Sequence, residues 1–212
     1  MARVVKKPEE RKDELLNIAI KLFLLKGYEN TSVKDIYIEA NGSFGMFYHH
    51  FNSKEEIFVA AMDKIANQFI EKMSGVLLDE KMSYEKRWGI AVGHYLEFLE
   101  SRDKASGNER GEFDVSVFRA LSLKVLSESI QPIQLFLEEG VSKRIIHVED
   151  IHQTAVFIVY GIYGIIREER LWISSNKNAL FVLSKLSGLI AKVLDTDIAI
   201  FDFNRLEKNA EE

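Results

Sequence analysis

The sequence predicts an all-α protein of one or two small domains. Apolar residues recur at three- and four-residue spacing along most of the chain, which is the period of an amphipathic helix. Only two of the 212 residues are proline, so long helices are favoured. Hydrophobic residues make up 47% of the chain, enough for a sizeable core. Cysteine is absent, which excludes a disulfide framework, a thiolate zinc site and a thiol nucleophile.

The first helix is predicted from about Pro8 to Lys26. Proline suits the first turn of a helix, where its missing N–H would have no partner, and Gly27 marks the end. Four apolar residues share one face and form the predicted buried stripe: Leu15, Ala19, Leu22 and Phe23. The other side of this helix is charged and is expected to face solvent.

A second helix is predicted to begin after Ser32, because Ser32 and Asp35 have the spacing of a capping box. Its buried face is expected to consist of Val33, Ile36 and Ala40. Asn41 tolerates a left-handed backbone and Gly42 adopts one without steric penalty. This dipeptide therefore predicts a sharp turn directly after the second helix.

Ser43 can cap a third, short helix from about Phe44 to His50. Phe47 and Phe51 lie on one face of this helix, whereas its other faces carry Phe44, Met46, Tyr48 and His49. The adjacent His49 and His50 are expected to face opposite ways, with His49 pointing outward. Two short helices joined by a tight turn are the layout of a helix-turn-helix that enters DNA.

Ser53 and Glu56 form a second capping box, which predicts a long helix from Ser53 to about Gly75. Its apolar residues at helical spacing are Phe58, Ala61, Ile65 and Phe69. The positive N-terminal end of this helix suits a phosphate. Because the helix dipole disfavours a lysine at this end, we expect Lys54 to have an anionic partner.

Further helices are predicted at about 84–101, 112–129, 132–146, 149–173 and 176–194. Residues 102–112 are polar and contain glycine, so they are predicted to form an exposed loop. The charged residues after Phe203 are predicted to be frayed.

The charges are distributed unevenly along the chain. Residues 1–75 hold 11 basic and 11 acidic residues, whereas residues 76–212 hold 17 and 22, so the second part carries all of the net charge of -5. The acidic excess therefore lies away from the predicted helix-turn-helix, as repulsion from phosphate requires.

The stretch from Thr31 to Phe58 resembles the TetR family of one-component bacterial transcriptional regulators. The resemblance is strongest in Phe47-Tyr48-His49-His50-Phe51, followed by Lys54 and Ile57, and it includes Leu22-Phe23 and Gly27-Tyr28 near the end of the first helix. The rest of the chain matches only in length and helical pattern. The resemblance implies a helix-turn-helix DNA-binding domain over residues 1–54 and a ligand-binding and dimerisation domain over residues 55–212.

The resemblance also implies a function. We expect a cytoplasmic homodimer that binds a double-stranded DNA operator and represses transcription until a small-molecule effector releases it. The residues predicted to contact DNA are Thr31, Ser32, Ser43, Phe44, Gly45, Met46, Tyr48, His49, His50 and Lys54. An alternative for Tyr48 and His50 is that they stabilise the small core of the three-helix unit.

The chain departs from the family pattern at its turn and on its third helix. The family usually has Gly followed by a Val-like residue where this chain has Asn41-Gly42, so a core-facing side chain is missing and a looser turn is expected. A small residue usually stands at the position of Tyr37. Phe44 and Met46 replace polar residues of the family, and they can touch a thymine methyl but cannot hydrogen-bond a base edge.

An effector pocket is predicted between the helices of the second domain. Aromatic residues would supply its apolar surface, and a histidine and an arginine would bind an anionic or hydrogen-bonding end of the ligand. The predicted residues are Trp88, His94, Tyr95, Phe98, Phe118, Arg119, Tyr160 and Tyr163. The alternative for each of them is ordinary core packing.

The last two predicted helices are too apolar to face water on both sides. The resemblance implies that they form a four-helix bundle with the same pair in a second subunit. The residues predicted at this dimer interface are Ile158, Gly161, Ile165, Leu183, Leu186 and Ile190. The alternative is that this apolar face belongs to the core of the monomer.

Two other classes of protein remain as alternatives to a regulator. Glu149 and His152 match one ligand pair of a di-iron helical-bundle enzyme, but such an enzyme needs a second pair and two further glutamates, and no other histidine has Glu three residues before it. A helical protein-interaction module without DNA binding is the second alternative. We predict no cofactor, metal or catalytic residues. Because no apolar run reaches about 18 residues and no signal peptide opens the chain, no membrane partner is predicted.

Overall fold

A computed structural model describes residues 7–106, 112–168 and 186–197. These residues form helices and connecting turns, with no strand in the described ranges, which confirms the all-α prediction. The helices are α1 (Pro8–Lys26), α2 (Val33–Glu39), α3 (Phe44–His50), α4 (Lys54–Leu77), α5 (Tyr84–Ser106), α6 (Glu112–Ser142), α7 (Ile151–Glu168) and α8, of which residues 186–193 are described.

The chain divides into two compact units. The first comprises Met1–Asn67 and Phe98–Leu121, and the second comprises Gln68–Glu97 and Ser122–Glu212. Helix α4 therefore contributes its first part to the first unit and its last part to the second. The predicted domain boundary after residue 54 falls at the start of α4, and it stays a prediction.

The first unit has the core that the sequence predicts. Helix α1 buries Leu15, Ala19, Leu22 and Phe23. The Phe23 ring meets the Phe58 ring edge-on at a centroid distance of 5.1 Å, and the Tyr28 ring lies 4.5 Å from that of Phe58. Phe47 and Phe51 are buried together, with ring centroids 6.0 Å apart. Aromatic contacts thus join the end of α1 to α4, and another aromatic pair packs at the end of α3.

Helix α6 runs without interruption through Pro132, so the prediction of two separate helices at 112–129 and 132–146 was wrong. A proline inside a helix costs about 3 kcal/mol. Buried apolar side chains continue at helical spacing on both sides of it: Leu121, Val125, Leu126, Ile133, Phe136 and Leu137. Burying each such side chain stabilises the fold by roughly 1.5–3 kcal/mol, so the continuous stripe outweighs the local cost.

Helix α5 extends to Ser106, so the loop predicted from residue 102 begins later than expected. The sequence Arg-Asp-Lys-Ala at 102–105 contains three good helix formers and no breaker before Gly107. The predicted loop residues 107–111 lie outside the described part of the structure. So do residues 169–185 and 198–212, which include parts of the last two predicted helices and the chain end.

A buried arginine ties three helices together in the second unit. Arg87, with a side chain 1% exposed, donates to the Leu77 backbone oxygen at 2.8 Å and to both carboxylate oxygens of Glu139. The Tyr84 ring stacks on that of Phe136 at 4.0 Å, and the Tyr84 hydroxyl donates to the Phe136 backbone oxygen at 3.2 Å. The end of α4, the start of α5 and the last turns of α6 are therefore joined at one point.

In the part of the chain that the structure describes, no helix is long and apolar enough to cross a membrane.

Candidate nucleic-acid interface and effector cavity

The turn between α2 and α3 is closed by two backbone hydrogen bonds. The Asn41 N–H donates to the Ile38 oxygen at 2.9 Å, and the Gly42 N–H donates to the Tyr37 oxygen at 2.8 Å. Asn41 adopts the left-handed conformation, with φ 49°. This pair of bonds is the Schellman motif that ends many helices. The departure from the family pattern therefore gives a closed turn rather than the looser one expected, and Asn41 takes the left-handed position instead of Gly42.

Gly42 has a different role, because it leaves room for Met46. A β-carbon at position 42 would overlap the end of the Met46 side chain. Met46 is half-buried as a result, so its thioether is partly occupied in packing on the turn.

The start of α2 has the capping box that the sequence predicts. The Asp35 N–H donates to the Ser32 hydroxyl oxygen at 3.1 Å, and the Ser32 N–H donates to the Asp35 carboxylate at 2.9 Å. Hydrogen bonds from the Ser32 side chain and backbone also lower the pKa of Asp35. Thr31 is only 1% exposed, and its hydroxyl donates to the Gly27 oxygen at 2.8 Å. The Ser32 side chain is therefore exposed for a DNA contact, whereas that of Thr31 is buried.

Helix α3 presents an aromatic surface to solvent. The Ser43 hydroxyl accepts from the Met46 N–H at 3.3 Å, which caps the helix as predicted. Phe44 is 62% exposed and Tyr48 is 41% exposed, and their ring centroids lie 4.4 Å apart. A β-carbon at Gly45 would meet nothing within 4 Å, so the backbone there is open to a close approach. We call Phe44, Gly45, Tyr48 and His49 the exposed face of α3.

The two histidines at the end of α3 differ in exposure. His49 is exposed and His50 is half-buried, and their rings meet edge-on at 4.9 Å instead of pointing opposite ways as expected. Burial lowers the pKa of His50, and the charges of His49, Lys12 and Arg11 lower it further. The His50 imidazole is therefore neutral at neutral pH, so it can accept or donate one hydrogen bond but brings no charge to a phosphate.

Lys54 at the start of α4 has a partner that the sequence reasoning missed. Its ammonium nitrogen lies 4.0 Å from the centroid of the Tyr28 ring, and the Tyr28 hydroxyl donates to the Glu55 carboxylate at 3.1 Å. The negative face of the ring attracts the cation, which offsets the unfavourable helix dipole. The pattern Gly27-Tyr28 was visible in the sequence, but nothing local indicated that it would meet Lys54.

The predicted capping box at the start of α4 forms only in part. The Glu56 N–H donates to the Ser53 hydroxyl oxygen at 3.1 Å, as expected. The Glu56 carboxylate instead accepts from the Asn52 N–H at 2.7 Å, one residue earlier than a standard box.

An apolar cavity of about 70 Å³ lies within the second unit. Its described lining comes from α4, α5, α6, α7 and α8: Phe69, Met73, Leu77, Trp88, Ala91, Val92, Tyr95, Val125, Leu126, Ser129, Ile133, Val159, Ile162, Leu186 and Ile190. Of the residues predicted for the effector pocket, this lining contains Trp88 and Tyr95.

The other predicted pocket residues lie elsewhere. The His94 ring nitrogen Nδ1 lies 3.3 Å from the Glu97 carboxylate, and Arg119 is exposed in the first unit, so neither supplies a polar end to this cavity. Phe98 is buried, Tyr160 is exposed and Tyr163 is half-buried, and none of the three belongs to the described lining. The side chain of Phe118 lies outside the described part of the structure.

Several residues predicted for the dimer interface are buried within this chain. Ile158, Leu186 and Ile190 are core residues, and the last two line the cavity. Gly161 and Ile165 are half-buried, and Leu183 lies outside the described residues. The same helices expose a second apolar set: Phe157, Tyr160, Leu189 and Val193. The sequence pattern contained this set, but periodicity alone does not separate a core stripe from an exposed one.

Glu149 and His152 do not form a metal site with other described residues. The His152 nitrogen Nδ1 lies 3.0 Å from the Gln134 side-chain oxygen, and the described ranges contain no group of three side chains suited to a metal ion.

Helices α2 and α3, joined by a closed turn and supported by α1, define a helix-turn-helix protein. Residues 15–61 match the sequence model of the family described as "Bacterial regulatory proteins, tetR family". This match covers the N-terminal region of the chain, which contains α2 and α3.

Curated relatives match part of the chain, and a solved structure shares its fold. The repressor KstR2 of Mycolicibacterium smegmatis is 33% identical over 99 residues, which are 45% of this chain and 46% of that protein. The repressor ComR of Escherichia coli is 32% identical over 97 residues, also 45% and 46%. The chain thus spans less than half the length of these curated relatives. A transcriptional regulator from Cytophaga hutchinsonii has a similar fold, with a TM-score of 0.67 at 17% identity over 89% of this chain and 95% of that one.

Proposed function

We propose that this chain is a homodimeric, cytoplasmic DNA-binding repressor that a small-molecule effector releases from its operator. The observation that carries the proposal is the exposed face of α3, held on a capped and closed helix-turn-helix. Relatives that share this region are named transcriptional repressors, which supports the same function here.

In the proposed complex, α3 enters the major groove and the flanking groups bind phosphates. The hydroxyls of Ser43 and Tyr48 belong to exposed side chains that can donate to phosphate oxygens, whereas the Ser32 hydroxyl already donates to the Asp35 carboxylate. Lys54 contributes a cation from the first turn of α4. Phe44 faces solvent at the start of α3 and offers an apolar surface for a thymine methyl group.

The proposed release depends on α4. The first turn of this helix carries Lys54, and Phe69, Met73 and Leu77 near its other end line the cavity. A ligand shifts the equilibrium between a DNA-binding form and a released form only through its different affinity for the two. We propose that the cavity is more complementary to the ligand in the released form.

We propose that the dimer forms through the exposed apolar residues of α7 and α8. Phe157 is 62% exposed and Leu189 is 52% exposed, which is costly for two large apolar side chains on a monomer. A β-carbon at Gly161 or Gly164 would meet nothing within 4 Å, so another helix can approach α7 closely there. A two-fold dimer would present two copies of α3 to two half-sites.

Selection of bound fragments from a random DNA pool tests the proposed function. We expect enrichment of a motif with two inverted half-sites, since a two-fold dimer reads a palindromic site. Recovery of a random pool after repeated rounds would contradict a sequence-specific regulator.

A helical interaction module is the second candidate, and one observation favours it. The exposed face of α3 is largely aromatic and poor in groups that hydrogen-bond base edges. Such a module would show no salt-dependent affinity for random duplex, because it makes no phosphate contacts.

A further inference from the structure

The lining of the cavity is almost entirely hydrocarbon. Phe69 and Tyr95 form an aromatic wall with ring centroids 5.8 Å apart, and aliphatic side chains from α6, α7 and α8 surround them. Among the described lining residues none is charged. This lining can bury the apolar surface of a ligand, but it offers no counter-ion to a charged ligand group.

Two polar side chains in or next to the cavity lining, Ser129 and Arg87, already make hydrogen bonds. The Ser129 hydroxyl donates to the Val125 backbone oxygen at 2.6 Å. Arg87 is next to Trp88 in sequence, but its guanidinium binds the Glu139 carboxylate and the Leu77 oxygen. An anionic ligand that used the Arg87 guanidinium would therefore have to compete with a buried ion pair.

We propose that the cavity binds an uncharged, apolar ligand and encloses about three of its carbon atoms, since a cavity of about 150 Å³ holds the six carbons of benzene. This inference rests on the proposed function, because the ligand is the effector of that repressor. It replaces the mainly apolar effector with an anionic or hydrogen-bonding end that was expected from Arg119 and His94.

Tryptophan fluorescence gives a direct test. The chain has two tryptophans, so Trp172→Phe leaves Trp88, a lining residue, as the only reporter. The probes are 1-hexanol and hexanoate at pH 7.5, which share a six-carbon chain and differ in charge. We expect 1-hexanol to shift the Trp88 emission saturably, with a dissociation constant at least about tenfold below that of hexanoate, because desolvating the carboxylate has no compensation.

A pair of matched variants locates the binding. Val92 is a half-buried lining residue, so Val92→Phe should narrow the cavity and weaken 1-hexanol binding at least about tenfold, since overpacking excludes the probe. Val59 is exposed in the first unit, so Val59→Phe makes the same change away from the cavity and should leave binding as in the parent. If Val92→Phe loses its helical circular dichroism, Ile162→Phe, also at a half-buried lining position, replaces it as the narrowed variant.

Three results would overturn the inference: hexanoate binding as tightly as 1-hexanol, unchanged 1-hexanol binding in both narrowed variants, or no saturable response to either probe. The same samples are tested for DNA selection. If they select DNA but fail the probe test, the ligand class is wrong and the proposed regulator stands. If they bind 1-hexanol but select no DNA, the proposed regulator is wrong and the cavity chemistry stands.

Discussion

At the residue scale, Lys54 takes part both in the packing of the first unit and in the proposed DNA interface. Its ammonium lies on the Tyr28 ring, which in turn packs on Phe58 in the core of the first unit. The ring fixes the direction of the Lys54 side chain, which is half-buried. A cation held in this way loses less freedom on binding a phosphate than a free lysine does.

We predict that Lys54→Ala weakens binding to all duplexes alike and lowers the slope of log affinity against log salt by about 1 unit, because one phosphate contact is lost. Fluorescence anisotropy at several salt concentrations measures both effects. Lys72→Ala is the control, since Lys72 is an exposed lysine of the same helix in the second unit. Equal slopes for the Lys54 variant and the parent would remove Lys54 from the interface.

Glu139 makes the stability of the second unit depend on pH. Hydrogen bonds from Arg87 and then from Lys143 hold the pKa of Glu139 at about 2, below its ordinary value of 4.5. A carboxyl whose pKa is lower in the folded state contributes stability above its unfolded pKa, and that stability is lost as pH falls. The difference corresponds to about 3 kcal/mol, present above pH 4.5 and lost towards pH 2.

We predict that Glu139→Gln destabilises the protein by about 3–5 kcal/mol at pH 6, because Arg87 is left buried without its counter-ion. The gap between parent and variant should narrow between pH 4.5 and pH 2.5 in urea unfolding. Glu138→Gln is the matched control, because Glu138 is the exposed neighbour. A gap that stays constant over this pH range would show that Glu139 is not the titrating group.

At the element scale, helices with local end signals were predicted well. The predicted bounds of α1 and α3 agree with the structure because Pro8, Gly27 and Ser43 define their ends within a few residues. Helix α6 was predicted as two pieces because Pro132 is a local signal, whereas the stripe that overrides it depends on burial against other helices. Helix-end signals can be recognised in the sequence, whereas burial against other helices can be inferred from it only in part.

The same distinction applies to the candidate site. The caps at Ser32 and Ser43 and the exposure of Tyr48 follow from spacing along single helices. The partner of Lys54 depends on a contact between separate segments, which spacing does not contain, whereas the turn at Asn41 is closed by local hydrogen bonds. In α7 and α8 the pattern shows two apolar stripes, and only the fold separates the core stripe from the exposed one.

We predict that Phe157→Arg and Leu189→Arg, each placing a charge on the exposed apolar face of α7 or α8, shift the protein from dimer to monomer. Sedimentation measures the mass, and circular dichroism confirms that the variants remain folded. Leu123→Arg, at an exposed leucine of α6, is the control and should remain dimeric. A parent protein that is monomeric, or arginine variants with unchanged mass, would contradict the proposed interface.

At the scale of the whole molecule, the charge distribution suits a protein that approaches DNA from one end. Residues 1–75, which contain the helix-turn-helix, are neutral overall, and the remaining residues carry the net charge of -5. The acidic part is repelled by phosphate, which disfavours binding in other orientations. We therefore expect the proposed DNA contacts to come from a small number of groups on α2, α3 and the start of α4.

The central claim is that this chain reads a DNA sequence through α3. The most direct measurement compares the dissociation constants of the selected duplex and of a shuffled duplex of the same composition across a range of salt concentrations. We predict that the selected duplex binds at least about a thousandfold more tightly and that both affinities fall as salt rises. Equal affinity for the two duplexes at every salt concentration would contradict the claim.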